Sequence, residues 1–427
     1  MDLPSPAAAA YSPLTPVPAA QRVFTQRDAF ALWFSLGIGL LVAQAGALLV
    51  PGLSLPMACA AIGTGTVLGV VLLAGAGVIG ADTGLAAMSS LRVTLGSRGA
   101  LLPAAINAVQ LIGWGAFEII VMRDSAQALS EQTFGYSNPL LWTLLFGMLA
   151  TALAVLGPLS LVRRVLRNWG VWLLWIGAAW LTYSLLAHHD LAELWHRPGD
   201  GSMSFGAGVD LVIAMPLSWL PLIADYTRFG RRPGQMFRGT VLGYGIANLW
   251  FYLLGATYAL VAGGGEALLT TALASAGGGL ALLLVLIDEV DNAFADIHSA
   301  AVSAGMLVHR MKVGTLSLCF GAACTLLALS VPTDHYQNFL LLIGSVFAPL
   351  FGVVLTDHFV VRGRIGPPVS RDRHWQMPAL AAWLVGIAAY HAIAHWLPEL
   401  GSTLPSLLIS ALCYHLLAML RVQAQYD

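Results

Sequence analysis

The chain has 427 residues, of which 58% are apolar and only 10% charged, and its formal net charge is −1. A soluble domain carries about a quarter charged residues, so this composition excludes an ordinary soluble fold, and the near-zero charge excludes a nucleic-acid partner. Residues 1–24 are rich in Pro and Ala and read as a disordered cytoplasmic tail rather than a cleavable signal.

Crossing a bilayer as a helix takes about twenty apolar residues. Stretches of that kind run over roughly 29–50, 55–79, 101–122, 139–157, 168–187, 209–226, 239–262, 279–307, 314–331, 337–361, 377–397 and 403–420, which makes twelve. An even count puts both termini on one side. With that side in the cytoplasm, 18 of the 20 basic residues fall in inside loops, and only Arg123 and Arg197 fall outside. A wrong count would scramble this asymmetry, so the charges support twelve spans with both termini inside. Cys59, Cys319, Cys324 and Cys413 lie in apolar segments with neither a CxxC nor a zinc spacing, and they read as small core residues.

Several spans carry residues that a lipid-facing helix would not tolerate. Backbone within a bilayer must satisfy its own hydrogen bonds unless it faces a cavity. The first span holds Gly37, Gly39 and Gly46 with the amide of Gln44 at mid-depth. The third, INAVQLIGWGAFEIIVM, places Trp114 and Glu118 four residues apart on one face, with Asn107, Gln110 and Trp114 in an overlapping stripe. An aromatic face beside a buried carboxylate suits a flat heterocycle, the ring stacking on indole while the acid receives N–H donors.

The sixth span reads MPLSWLP, with Pro216 and Pro221 bracketing Ser218 and Trp219. Each proline removes a backbone donor and clashes with the preceding turn. Spans one and six hold matching places in two five-helix halves, and interruptions at matching places point to a transporter binding site. Gly and Pro are also common in membrane helices generally.

The eighth span, LLLVLIDEVDNAFADIHSAAVSAG, sets Asp288, Glu289, Asp291 and Asp296 in an apolar run. Each ionised acid costs about 2.5–3.5 kcal/mol at a helix centre on insertion scales, so four of them against lipid are implausible. At about 100° per residue, Asp288, Asp291, Asn292 and Asp296 share one side, with Glu289 at its margin. That side must face water, a cation, a donor-bearing ligand or protonated neighbours; an amphipathic loop helix outside the membrane is the alternative. Asp225 and Asp357 sit at inside helix ends beside arginines and read as structural ion pairs. His298 and His358 read as satisfied helix histidines, with a proton relay as the alternative for His298. The outside loop HHDLAELWHRPGD reads as a lid or plain loop rather than a metal site.

GVIGADTGL after span two, QLIGWGAF in span three, IADYTRFGR closing span six, HSAAVSAG in span eight and SVFAPLFGVVLTDHFVVRGR in span ten together resemble the nucleobase–cation symporter-1 family, within it the hydroxymethylpyrimidine permease branch related to cytosine permeases. The resemblance extends over about residues 24–420. It implies an all-α integral membrane fold of the leucine-transporter type: twelve transmembrane helices in a 5+5 inverted repeat, 25–187 and 205–361, with two C-terminal helices over 376–421. It further implies a substrate site formed by Trp114, Glu118, Met215, Pro216, Trp219 and Asp288, to which the polar residues read on spans one, three and six add Gln44, Gln110 and Ser218. A sodium or proton coupling position would be made by Asp291, Asn292 and the carbonyls near Ile38 and Leu41. Asp291 and Asn292 stand where the family has a hydroxyl pair, which puts sodium in doubt, although a carboxylate is a good ligand for a hard cation.

The implied activity is cation-coupled uptake of a pyrimidine by alternating access, hydroxymethylpyrimidine as a thiamine precursor, with cytosine, a purine or allantoin as alternative cargo. A 4-aminopyrimidine edge suits a carboxylate, which accepts from the amine, and from the ring nitrogen once that is protonated. No organic cofactor is expected, only the coupling ion, Na+ or H+. The expected setting is a monomer or weak oligomer in the lipid bilayer of a bacterial inner membrane. An intramembrane hydrolase is disfavoured by the lack of HExxH, paired Gly-Asp and GxSxG motifs.

Overall fold

The computed structural model describes residues 13–157, 170–262, 278–308, 310–330, 336–362 and 374–426. Apart from one bridge between Phe24 and Gly230, the regular structure among the described residues is helical. A capping box of Thr25 and Asp28 starts α1 (Gln26–Ser35), and α2 (Leu40–Ala47) follows after a break with a 58° bend. Next come α3 (Leu55–Thr83), two short helices, α4 (Ala87–Ser90) and α5 (Arg92–Leu95), then α6 (Leu101–Phe134) and α7 (Pro139–Leu156). They are followed by α8 (Val171–His188), the short loop helix α9 (Leu191–His196), α10 (Phe205–Ser218), α11 (Ile223–Thr227) and α12 (Pro233–Ala262). The remainder are α13 (Gly278–Ala304), α14 (Val313–Ala328), α15 (Tyr336–Leu355, continued by a π-turn to Val361), α16 (Met377–Trp396) and α17 (Thr403–Tyr426).

A helix therefore lies over each of the twelve apolar stretches. Among the described residues, nine helical segments are long and apolar enough to cross a membrane, and the bent pair α1–α2 makes up to ten. The other two are α14, which is 16 residues long, and α13, whose four acids depress its apolarity.

The helices pack in an orderly exchange. α1 packs on α12 as α3 packs on α10, α6 on α14 as α13 on α7, and α6 on α7 as α13 on α14. The pairs α3–α12, α6–α13 and α7–α14 complete the set, which maps onto itself when the first four spans are exchanged with the sixth to ninth. α15, α16 and α17 pack together to one side, where Asp210 of α10 accepts a hydrogen bond from the Thr403 amide at 2.7 Å. Close approach of α2 to α12 depends on glycine: a Cβ at Gly255 would run into the Ala43 carbonyl, and one at Gly46 into the Tyr252 carbonyl.

Of the tail expected over 1–24, residues 1–12 lie outside the described residues, and the rest is docked rather than loose. The Val17 amide donates to Gly84 O at 2.9 Å, Arg22 Nη1 donates to Ala81 O at 3.0 Å, and Phe24 N donates to Phe229 O at 2.8 Å. Val17 and Phe24 are buried, and their apolar area is what the Pro- and Ala-rich composition conceals. The cysteines divide likewise: Cys324 is buried, Cys59 and Cys413 are half-buried, and Cys319 is exposed on α14.

Both end-of-helix acids are committed to structure. Asp357 accepts from Thr94 Oγ1 at 2.6 Å and Tyr414 OH at 2.7 Å and is paired with Arg362. Asp225 accepts from the Ala87 amide at 2.9 Å, capping α4, while Arg228 Nε donates to the Asp225 carbonyl at 3.2 Å. Ala86 precedes α4 without a capping side chain of its own, so the acid comes from another helix. His358 pairs with Asp82 at 3.1 Å, and His298 Nδ1 lies 3.4 Å from the Ala154 carbonyl.

Candidate functional site

Two interrupted spans and two continuous ones meet around one pocket. In the first span the helix stops at Ser35 and restarts at Leu40, with Gly39 extended between them. Glycine matters there for space: a Cβ at Gly39 would stand 3.2 Å from Glu289 Oε1 and 3.3 Å from Asn292 Nδ2. In the sixth span α10 ends at Ser218, Pro221 falls within the turn, and α11 restarts at Ile223. Breaks of this kind free backbone groups that only protein or a cavity can satisfy at membrane depth.

The freed groups find side chains. Leu40 N donates to both carboxylate oxygens of Glu289 at 3.2 Å, so the acid holds the start of α2. The Ile38 carbonyl accepts from Asn292 Nδ2 at 3.3 Å, and Ser35 Oγ donates to Asp291 Oδ2 at 2.8 Å. Across the site, Asn107 Nδ2 of α6 donates to the Pro221 carbonyl at 3.3 Å and to Ser303 Oγ at 2.8 Å, while Gln110 Nε2 donates to Asn107 Oδ1 at 2.7 Å.

Seven of the residues expected at the site line the pocket: Leu41, Trp114, Glu118, Met215, Ser218, Trp219 and Asn292. They come from four separate spans, so the fold gathers positions as distant as 41 and 292. The Trp114 ring meets Phe339 of α15 edge-on, with centroids 5.3 Å apart, and Trp219 meets Trp33 edge-on at 5.9 Å. Both indoles are therefore held by other aromatic rings. Trp33 also contacts Tyr226 and Tyr244 at 6.3 and 6.1 Å, so the ring behind Trp219 is itself held in a fully buried aromatic cluster.

The remaining expected residues stand elsewhere. Gln44 is exposed on α2 and does not line the pocket, because α2 turns its Leu41 and Val42 inward. Gln110 and Asn107 serve the break in span six instead of the pocket wall. Pro216 packs against Gly69 of α3. Ile38 and Asp291 sit at the break of span one and do not line the pocket. The Asp288 side chain lies outside the described residues.

Two acids not expected there line the pocket: Glu289, read from the sequence as marginal, and Asp296. The spacing Glu289, Asn292, Asp296 is a helical face, and that pattern was available in the sequence once the face was centred on Glu289.

A family model described as "Permease for cytosine/purines, uracil, thiamine, allantoin" matches residues 16–408. The cytosine permease of Escherichia coli (strain K12) is 26% identical over 331 residues, 75% of this chain and 74% of that protein. A purine-cytosine permease of Saccharomyces cerevisiae is 22% identical over 430 residues, 88% of this chain and 77% of the relative. The fold is shared with Mhp1, a nucleobase-cation-symport-1 family transporter solved in a closed conformation with bromovinylhydantoin bound. The TM-score is 0.82 at 20% identity, over 96% of this chain and 95% of that one. A Na+-coupled sialic acid symporter matches more distantly, with a TM-score of 0.64 at 13% identity over 93% and 89% of the two chains.

Proposed function

The chain belongs to the family of permeases for cytosine/purines, uracil, thiamine and allantoin, and on that premise we propose that it imports an aminopyrimidine, hydroxymethylpyrimidine above all, together with a cation by alternating access. It is a multi-pass membrane transporter and not an enzyme, as its relatives are permeases and symporters. In this reading twelve spans form two inverted five-helix repeats followed by two further helices, in a bacterial inner membrane with both termini cytoplasmic. The reciprocal packing of the first four spans with the sixth to ninth supports the repeat.

One observation carries the choice of cargo: Trp114, Glu118 and Trp219, from three spans, line one pocket at two helix breaks. A flat ring seated between indoles presents its edge to the walls, where a carboxylate accepts from an exocyclic amine. At the break of span one, Asp291 Oδ1 and Asn292 Oδ1 have no hydrogen-bond partner, and the Ile38 carbonyl accepts from the Asn292 amide. Oxygen donors of this kind suit a hard monovalent cation, and a carboxylate among them also accepts a proton.

Cytosine itself is the second reading, favoured by the likeness to a cytosine permease over three-quarters of the chain. Exchange separates the two. Liposomes containing purified protein and preloaded with unlabelled hydroxymethylpyrimidine should take up the labelled compound, and cytosine should compete only at higher concentration. Equal or stronger competition by cytosine favours the second reading, and exchange of neither overturns both.

A further inference from the structure

Pro13 to Phe24 cross the ends of three spans, and the two ends of this segment are held by different helices. Val17 N donates to Gly84 O at 2.9 Å. Arg22 clamps the same place, its Nε donating to the Val17 carbonyl and its Nη1 to the Ala81 carbonyl, each at 3.0 Å. Gly84 is left-handed, with φ at 70°, and a Cβ there would run into the Arg22 guanidinium. Phe24 N donates to Phe229 O at 2.8 Å, Arg231 N donates to Phe24 O at 2.9 Å, and the Phe24 and Phe229 rings lie 5.9 Å apart. All of these ties lie at the ends of α3 and α11. Pro13 is held elsewhere. Its carbonyl accepts from Ser89 Oγ of α4, and a Cβ at Gly305, the residue after α13, would stand 2.8 Å from its Cγ.

The helices around the pocket pack chiefly in two groups, α1, α2, α3, α10, α11 and α12 in one and α6, α7, α13 and α14 in the other, and both groups line it. We propose that residues 13–24 are a cytoplasmic latch between these groups: anchored to the first at Val17, Arg22 and Phe24, and closed on the second where Pro13 meets Gly305. Pro13 lifts before cargo leaves inwards. This rests on the reading of the chain as an alternating-access transporter, in which the two groups part on one side at a time. Spans two, six and eight end on the side that the basic residues mark as cytoplasmic. The two ends of the latch differ in strength. Val17 and Phe24 are 2% and 1% exposed, and four hydrogen bonds tie the anchor to Ala81, Gly84, Phe229 and Arg231. Pro13 is half-buried, held by a hydroxyl and by the fit of its ring on a glycine. Openings that break fewer buried contacts cost less, so the latch opens at Pro13 while its anchor holds. Pro13, Pro16 and Pro18 each fix φ, which stiffens the arm between the two ends.

The test joins the latch to its seat. Full-length protein with Cys59, Cys319, Cys324 and Cys413 replaced by alanine receives Pro13→Cys and Gly305→Cys, positions close enough for oxidation to link them. Reconstituted in liposomes, the reduced protein should exchange labelled cytosine or hydroxymethylpyrimidine. Oxidation should abolish that exchange, and reductant should restore it. Exchange by the linked protein at the reduced rate overturns the latch and leaves the transporter reading standing, as does failure of the two cysteines to link. Exchange of neither compound by the natural chain overturns the cargo reading and the latch with it. A second readout needs no substitution. Hydroxyl-radical labelling of Leu14, which packs against the core, should rise when cargo on both sides of the membrane turns the natural chain over, while labelling of Val17 and Phe24 should not. Leu14 labelling that cargo leaves unchanged overturns the latch.

Discussion

Both carboxylate oxygens of Glu289 stand 3.2 Å from the amide nitrogen of Leu40, tying the middle of one continuous helix to the restart of an interrupted one. The first N–H groups of a helix have no partner within it and carry its positive end, so a carboxylate there anchors α2 as a capping residue would. Glu289 also lines the pocket, and the same side chain therefore touches both the cargo space and the bend of span one.

Removing that anchor should slow transport. Loss of a cap costs about 0.5–2 kcal/mol, so Glu289→Ala should lower the initial uptake rate by roughly 2- to 30-fold. Glu289→Gln, which keeps one acceptor oxygen, should lose less. Uptake by the alanine variant at the wild-type rate would show that the contact holds nothing of consequence.

Glu118→Gln should cut uptake by about tenfold or more, as expected when a charge-assisted bond becomes a neutral one. The comparison is made on initial rates at several cargo concentrations. Unchanged uptake of every pyrimidine tested would sink the assignment of Glu118 to cargo binding.

Much of this was readable in the residues, and the limits have physical causes. Apolar length located the helices, because it reports directly on the bilayer. Glycines marked the break in span one and prolines the break in span six, since each residue type leaves a backbone signature. The rotation of α13 was not readable. Every residue from Glu289 to Met306 is buried, so the helix is enclosed on all sides and no apolar face reveals which side meets the cargo. Packing against α6, α7, α8 and α14 encloses the helix, and it stands with Asp291 turned to Ser35 and Glu289 to the pocket. Asn107 and Gln110 looked like wall residues for a related reason: a buried amide signals a need for partners without saying whether the partner is cargo or a broken helix. Gln44 misled in the opposite direction, as a polar group at mid-span that the bend turns to an exposed face.

The contact between α2 and α12 predicts a sharp contrast between two glycines. A Cβ at Gly255 would overlap the Ala43 backbone, whereas one at Gly63 meets nothing within 4 Å. Overpacking of this kind costs about 1–3 kcal/mol. Gly255→Ala should lower the melting temperature in detergent by several degrees, and Gly63→Ala should leave it unchanged. Equal midpoints for the two variants would contradict the close approach.

The Asp357 network predicts graded losses. Tyr414→Phe removes one hydrogen bond at 2.7 Å and should cost about 0.5–1.5 kcal/mol. Asp357→Ala leaves Arg362, Thr94 and Tyr414 without their shared acceptor, and breaking a buried pair from one side costs about 3–5 kcal/mol. Thermal unfolding in detergent should rank the alanine variant well below the phenylalanine one. The reverse order would mean that Asp357 is not the hub.

Uptake into liposomes tests the central claim most directly. Purified protein is reconstituted, labelled hydroxymethylpyrimidine or cytosine is added outside, and a sodium gradient and a proton gradient are imposed in turn. Accumulation of an aminopyrimidine against its own gradient, under at least one of the two ion gradients and with the compound chemically unchanged, is the predicted result. Equilibration without accumulation under both gradients, or chemical conversion of the compound, would contradict cation-coupled transport through the pocket of Trp114, Glu118 and Trp219.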